Sequence, residues 1–188
     1  MVDIDALLVP YKAKLVERVG RTGDRHESMA EHVFSSLLLA RTLEKRINRK
    51  LDVHRAESLI LYHDLVEIKS GDAFVLDDEA RAGKVEREKE AVQELAKELP
   101  AEIRDEVLSC FGEYVANESW EAKFAHAVDA LDPILHSFED HPAWKKYGFT
   151  VAKLREKKLA AIEPFPELVE LFEELIRIQE ERGVIPDK

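Results

Sequence analysis

The chain has 188 residues, 45% hydrophobic and 36% charged, with 7 Gly and 7 Pro. That suits one domain with a sizeable core and excludes a disordered polar chain; glycine well below the roughly 7% average disfavours a turn-rich all-β fold. The formal net charge of −11 repels phosphate polymers and anionic surfaces, so neither a nucleic-acid polymer nor a membrane is expected as a partner. Small phosphorylated metabolites stay open, because a bound cation reverses the sign locally. Cys110 is the only cysteine, which leaves no intrachain disulfide and no multi-thiolate metal site. No run of ~18 apolar residues occurs, and Met1-Val2-Asp3 lacks the basic-then-apolar layout of a secretory signal. The expected location is the cytoplasm.

Taken in chain order, Leu7, Leu8, Tyr11, Leu15, Val16 and Val19 predict an amphipathic opening helix ending near Gly20, with a turn at Arg21-Thr22-Gly23-Asp24. Ser28-Met29-Ala30-Glu31 has the capping-box form and predicts a second helix to about Lys45. Asp52 caps a third, whose apolar residues lead into His63-Asp64-Leu65-Val66-Glu67. Ser70 to Gly83, with the acidic run Asp77-Asp78-Glu79, reads as a long loop or short broken helix. Further helices are predicted over 85–99, 103–115, 121–137, 151–162 and 167–182, the last two separated by Pro164-Phe165-Pro166. No alternating strand is evident, so the expectation is all-α: one domain over 1–188, an orthogonal helical bundle.

The strongest chemical signal is His63-Asp64 followed by Glu67 inside an apolar run. Ionisable groups so placed are costly unless something compensates them, and their helical spacing would aim all three into one cavity. Imidazole and carboxylate donors together suit Mn²⁺, Co²⁺, Fe²⁺ or Zn²⁺. His32, in the apolar register of the second helix, and Asp129, within Ala127-Val128-Asp129-Ala130-Leu131, are candidates for further ligands. Each also has a plainer reading: His32 as a satisfied core histidine, Asp129 as a surface acid, Glu31 as a capping residue only. His126, three residues before Asp129, is either a neighbour of that shell or an ordinary helix-face histidine. His136 and His141 show no partner pattern. His26 reads as an exposed turn residue, Glu86-Arg87-Glu88-Lys89-Glu90 as a solvated face, and Trp120 and Trp144 as packing residues.

The order of these motifs resembles the HD-domain superfamily of metal-dependent phosphohydrolases, whose signature is H…HD…D. Glu27-Ser28-Met29-Ala30-Glu31-His32, the H-D-x-x-E-x-x-x-G-D stretch from His63 to Asp72, Glu113-Tyr114 and Val128-Asp129 are similar to the 5′-deoxynucleotidase branch. The resemblance spans about 15–137, with the helices over 150–183 outside it. It implies a bundle of the HD type and assigns His32, His63, Asp64 and Asp129 as ligands of a divalent metal such as Mn²⁺ or Co²⁺. It assigns Glu67 to the attacking water, Asp72 to the reacting phosphate as either acid or orienting group, and Arg21 to substrate phosphate. The implied activity is hydrolysis of nucleoside 5′-monophosphates, 2′-deoxyribonucleotides above all, to nucleoside and phosphate. Two stretches depart from the family pattern: Asp24 stands where the family carries a tryptophan, and Ala73-Phe74-Val75 follows Gly71-Asp72.

Two rivals remain at this level: another HD activity, on a cyclic nucleotide or guanosine polyphosphate, and a non-catalytic metal- or nucleotide-binding protein. The resemblance also implies a homodimer. The stripe Leu168, Leu171, Phe172, Leu175 and Ile178 would serve either that dimer or the chain's own core.

Overall fold

The computed structural model describes residues 3–72, 82–138 and 148–185 and is dominated by helices. The chain opens with α1 (Ile4–Leu8) and a 3-10 turn over Pro10–Leu15. A hairpin of β1 (Glu17–Thr22) and β2 (Arg25–Ser28) follows. The bundle comprises α2 (Met29–Leu43), α3 (Val53–Tyr62), single-turn α4 (Glu67–Ser70) and α5 (Lys84–Glu98). It continues with α6 (Ala101–Ala116), α7 (Trp120–His136), α8 (Val151–Ile162) and α9 (Pro166–Glu181).

The all-α class holds, but the opening helix does not reach Val19. Pro10, which lacks an N–H donor, follows α1, and the β-branched Val16 and Val19 favour extended backbone. Gly23, at φ 61°, opens the two-residue turn between paired Thr22 and Arg25, a backbone sign that glycine adopts freely. The register then jumps between Glu17 and Arg21, so β1 carries a bulge. Bulges re-aim side chains, and this one contains Arg18.

Helix α7 is the central pillar. Its small residues Ala122, Ala125, Ala127 and Ala130 are all buried, so neighbouring α2, α3 and α8 approach it closely. Phe124, Phe165 and Phe172 fill the remaining volume. Leu168, Phe172 and Leu175 of α9 belong to this core and Leu171 packs against it, so these four of the five stripe residues are used inside the chain. Two smaller clusters take Leu65, with Val9, Met29, Leu95, Leu99 and Val107, and Val66, with Ala91, Val92 and Phe111. These two anchors pin the link between α3 and α4.

Asp77-Asp78-Glu79, Ala73-Phe74-Val75, His141 and Trp144 lie outside the described residues. Among the described residues, no helix is long and apolar enough to cross a membrane.

Candidate metal centre and active site

Three segments converge on one point. The first is α2, whose start is set by the capping box: the Ser28 side chain accepts from Glu31 N at 3.3 Å, and the Glu31 carboxylate accepts from Ser28 N at 2.9 Å. His32 lies one turn in and is fully buried. The second is the end of α3. The helix stops at Tyr62, so His63 and Asp64 lie in a tight turn rather than on a continuous helix. Glu67 N donates to Asp64 O at 2.8 Å, and Glu67 starts α4. Helical spacing predicted the convergence of His63, Asp64 and Glu67 for the wrong local reason; the buried Leu65 and Val66 hold the turn that achieves it.

The third is α7, which contributes Asp129 and, three residues on, Asp132. His32 Nδ1 donates to Asp132 Oδ2 at 2.8 Å and His63 Nδ1 to the Ile60 carbonyl at 2.8 Å. Those bonds orient both rings so that Nε2 is the inward nitrogen of each. His32 Nε2 lies 3.2 Å from Asp129 Oδ1 and 3.7 Å from Asp64 Oδ2; His63 Nε2 lies 3.6 and 3.2 Å from the same two atoms. His32, His63 and Asp129 each offer a ligand atom within 4.8 Å of the others. Asp64 adjoins this trio but also takes Arg18 Nη1 at 2.9 Å.

The donor set fits a divalent cation. Among the described residues His63 Nε2 is buried with no hydrogen-bond partner, although carboxylate oxygens of Asp64 and Asp129 lie 3.2 and 3.6 Å away, an arrangement that a bound ion would compensate. The histidine side chains are 0% and 2% exposed while that of Asp129 is 34% exposed, so the cluster opens to solvent on the Asp129 side. Burial and the Arg18 charge push the His32 pKa down, but the bonds to Asp129 and Asp132 outweigh them and raise it to about 9. His63 is likewise raised against its burial, by Asp64 and Asp129. Both aspartates are held low despite burial: Asp64 chiefly by His63 and Arg18, Asp129 by the two imidazoles. The cluster therefore stabilises positive charge at its centre, which a divalent ion supplies in place of protons.

Two further acidic groups, Glu67 and Asp72, interact electrostatically with Asp64. Burial, then Asp64 and Asp72, push Glu67 up to about 8, against Lys84 and Arg18. Asp72 is raised by burial, with Asp64 adding to the rise and Arg18, Lys84 and His32 opposing it. It follows Gly71, whose φ of 73° ends α4. Arg21 is elsewhere: its Nη2 donates to the Asp24 carbonyl at 2.6 Å near the hairpin turn, and its own carbonyl meets His136 Nε2 at 2.9 Å.

The arginine at the cluster is Arg18, aimed there by the bulge. Its side chain is 16% exposed, with Nε 3.7 Å from Glu27. Glu27 in turn faces His136 Nδ1 at 3.3 Å, which gives His136 the partner that sequence did not reveal. Gly20 permits this packing, since a Cβ there would stand 3.3 Å from His136 Nε2. His26 is half-buried, its Nδ1 donating to Arg18 O at 2.8 Å. His126 stacks on Tyr114 at 3.8 Å between ring centroids, and the Tyr114 hydroxyl donates to Asp129 Oδ2 at 3.4 Å. Sequence reasoning passed over Arg18 and Asp132 as site residues. Asp132 had a usable signal, its three-residue offset from Asp129 on one helix face; Arg18 had none while β1 was read as helix.

A family model for the HD domain matches residues 11–169. The chain belongs to the HD-domain family. It is similar to 5′-deoxynucleotidase HDDC2 of Homo sapiens, 30% identical over 85% of this chain and 79% of that protein. A 5′-deoxynucleotidase of Shewanella oneidensis is 29% identical over 76% of each. Among solved structures, a predicted metal-dependent phosphohydrolase from Magnetospirillum magnetotacticum superposes with a TM-score of 0.85. It is 32% identical, covering 97% of this chain and 93% of that one. The HD fold and family that the motifs implied are thus established for this chain.

Proposed function

We propose that this HD-domain protein is a metal-dependent phosphatase of nucleoside 5′-monophosphates, 2′-deoxyribonucleotides foremost. The carrying observation is the convergence of His32 Nε2, His63 Nε2 and Asp129 on one point, with Asp64 adjoining. The relatives named 5′-deoxynucleotidases point to the substrate class. His32, His63, Asp64 and Asp129 would hold a divalent metal such as Mn²⁺ or Co²⁺. Such an ion acidifies water and neutralises charge on the phosphoryl oxygens.

Glu67, with a pKa near the working pH, suits acceptance of the attacking water's proton. Asp72, raised by burial, suits donation to the leaving 5′-oxygen as the phosphorus–oxygen bond breaks. The products are nucleoside and inorganic phosphate. A guanidinium carries five N–H donors, so Arg18 can hold Asp64 and still reach a phosphate oxygen; it is better placed for that contact than Arg21. A homodimer, as the resemblance implies, would use an apolar face other than α9, such as exposed Ile4, Leu7, Leu8 and Tyr11. A cytoplasmic setting fits the free, buried thiol of Cys110.

The test is phosphate release by the Mn²⁺- or Co²⁺-loaded protein from deoxy- and ribonucleoside monophosphates, with cyclic nucleotides and guanosine polyphosphates as further arms. Release from the 5′-monophosphates, abolished by chelation and by Glu67→Gln, is expected. No release from any 5′-monophosphate would sink the reading. Release only from a further arm would redirect it to that HD activity.

A further inference from the structure

We propose that Lys84 is a positioning residue for Glu67: by holding one carboxylate oxygen it leaves the other to meet the attacking water. The inference rests on the reading of Glu67 as the group that takes the water's proton. Glu67 is 2% exposed, yet its two oxygens are treated differently. Oε1 accepts from Lys84 Nζ at 3.4 Å, whereas Oε2 is buried with no hydrogen-bond partner among the described residues. An unpaired buried carboxylate oxygen is costly, so its persistence in a side chain that interacts electrostatically with Asp64 marks it as the oxygen with a task.

Lys84 is itself held from two sides. It is the first residue of α5, and its ammonium lies between Glu67 Oε1 and Glu88 Oε1, the latter at 3.2 Å and one turn along the same helix. Its side chain is 23% exposed and that of Glu88 13%, so this pair is partly shielded from water, unlike an ordinary surface pair. A lysine would otherwise swing on a flexible four-carbon stem; Glu88 restrains it, and α5 packs against α4, which carries Glu67. Paired with two carboxylates, the ammonium is poorly placed to clamp a substrate phosphate, in contrast to Arg18. Its role is therefore to fix which way the Glu67 carboxylate turns.

The experiment uses the full chain loaded with Mn²⁺, a deoxyribonucleoside 5′-monophosphate as substrate, and calorimetric titration of the metal-free protein with Mn²⁺. Misplacing a reacting group by about 1 Å costs on the order of 100-fold. Lys84→Met should therefore lower kcat by about 10–100-fold while KM and Mn²⁺ affinity stay within about threefold. Lys84→Arg, which keeps the charge, should recover most of the loss. Glu88→Gln, the second variant should Lys84→Met not fold, should lower kcat several-fold, again without raising KM.

A rise in KM with kcat retained would make Lys84 a phosphate contact. A parallel loss of Mn²⁺ affinity would make it a support of the metal cluster. Either result, or unchanged kinetics in a folded variant, overturns the proposal. Glu67→Gln separates the two levels: if it keeps wild-type kcat, the Glu67 reading itself falls; if it loses kcat while Lys84→Met does not, only the Lys84 inference falls.

Discussion

The ligand frame and the hairpin meet at Asp64 but are built in opposite ways. The frame consists of His32 on α2, His63 at the end of α3 and Asp129 on α7, all within the packed helical bundle. Its rings are locked by bonds to Asp132 and Ile60, so ligand direction is set by helix packing. The hairpin has two short strands, a bulge and one glycine turn. Its reach into the site depends on a chain of charges from Asp64 through Arg18 and Glu27 to His136. On the proposed function, metal binding would stand on the rigid part, and phosphate contact on the part whose conformation depends on its neighbours. Changes in the frame should therefore act on metal binding, and changes in the hairpin on KM.

Asp129→Ala should give the largest effect: turnover and Mn²⁺ affinity both down by more than about 100-fold, since losing a ligand exceeds the 10–100-fold typical of an outer partner. A variant with normal calorimetric Mn²⁺ binding would remove Asp129 from the frame. Asp132→Asn should weaken Mn²⁺ by about 10–100-fold without changing residues that touch substrate. An effect on KM alone would detach Asp132 from His32.

On the hairpin, Arg18→Met should raise KM by about 10–100-fold, the value of one or two charge-assisted hydrogen bonds, with Mn²⁺ affinity nearly kept. Arg21→Met makes the comparison sharp, because the smaller KM change is expected there; the reverse ranking would return the phosphate contact to Arg21.

The mildest effect is on pH. His32 in the metal-free protein keeps its proton up to about pH 9, and a metal ligand needs the neutral nitrogen. Binding therefore expels a proton, and apparent Mn²⁺ affinity should rise between pH 6 and 8 by up to about tenfold per unit for each proton displaced. Affinity falling with pH in calorimetry would contradict the charge balance assigned to the cluster.

Local sequence determined most of the helical frame. The Ser28–Glu31 capping box, the Asp52 cap and the breaks at Pro100 and Pro164-Phe165-Pro166 act within a turn or two, and the helices begin and end close to them. The motif residues His32, His63, Asp64 and Asp129 were legible for the same reason: an ionisable group in an apolar helical register is a local anomaly. Only the tertiary structure decided the rest. Whether residues 16–22 form helix or strand depends on pairing with β2, and the direction of Arg18 depends on the bulge. The Lys84–Glu67 contact joins residues 17 apart, and the His32–Asp132 contact residues 100 apart. Such contacts arise when helix packing closes the distance, and a single-sequence reading of local spacing carries no measure of that distance.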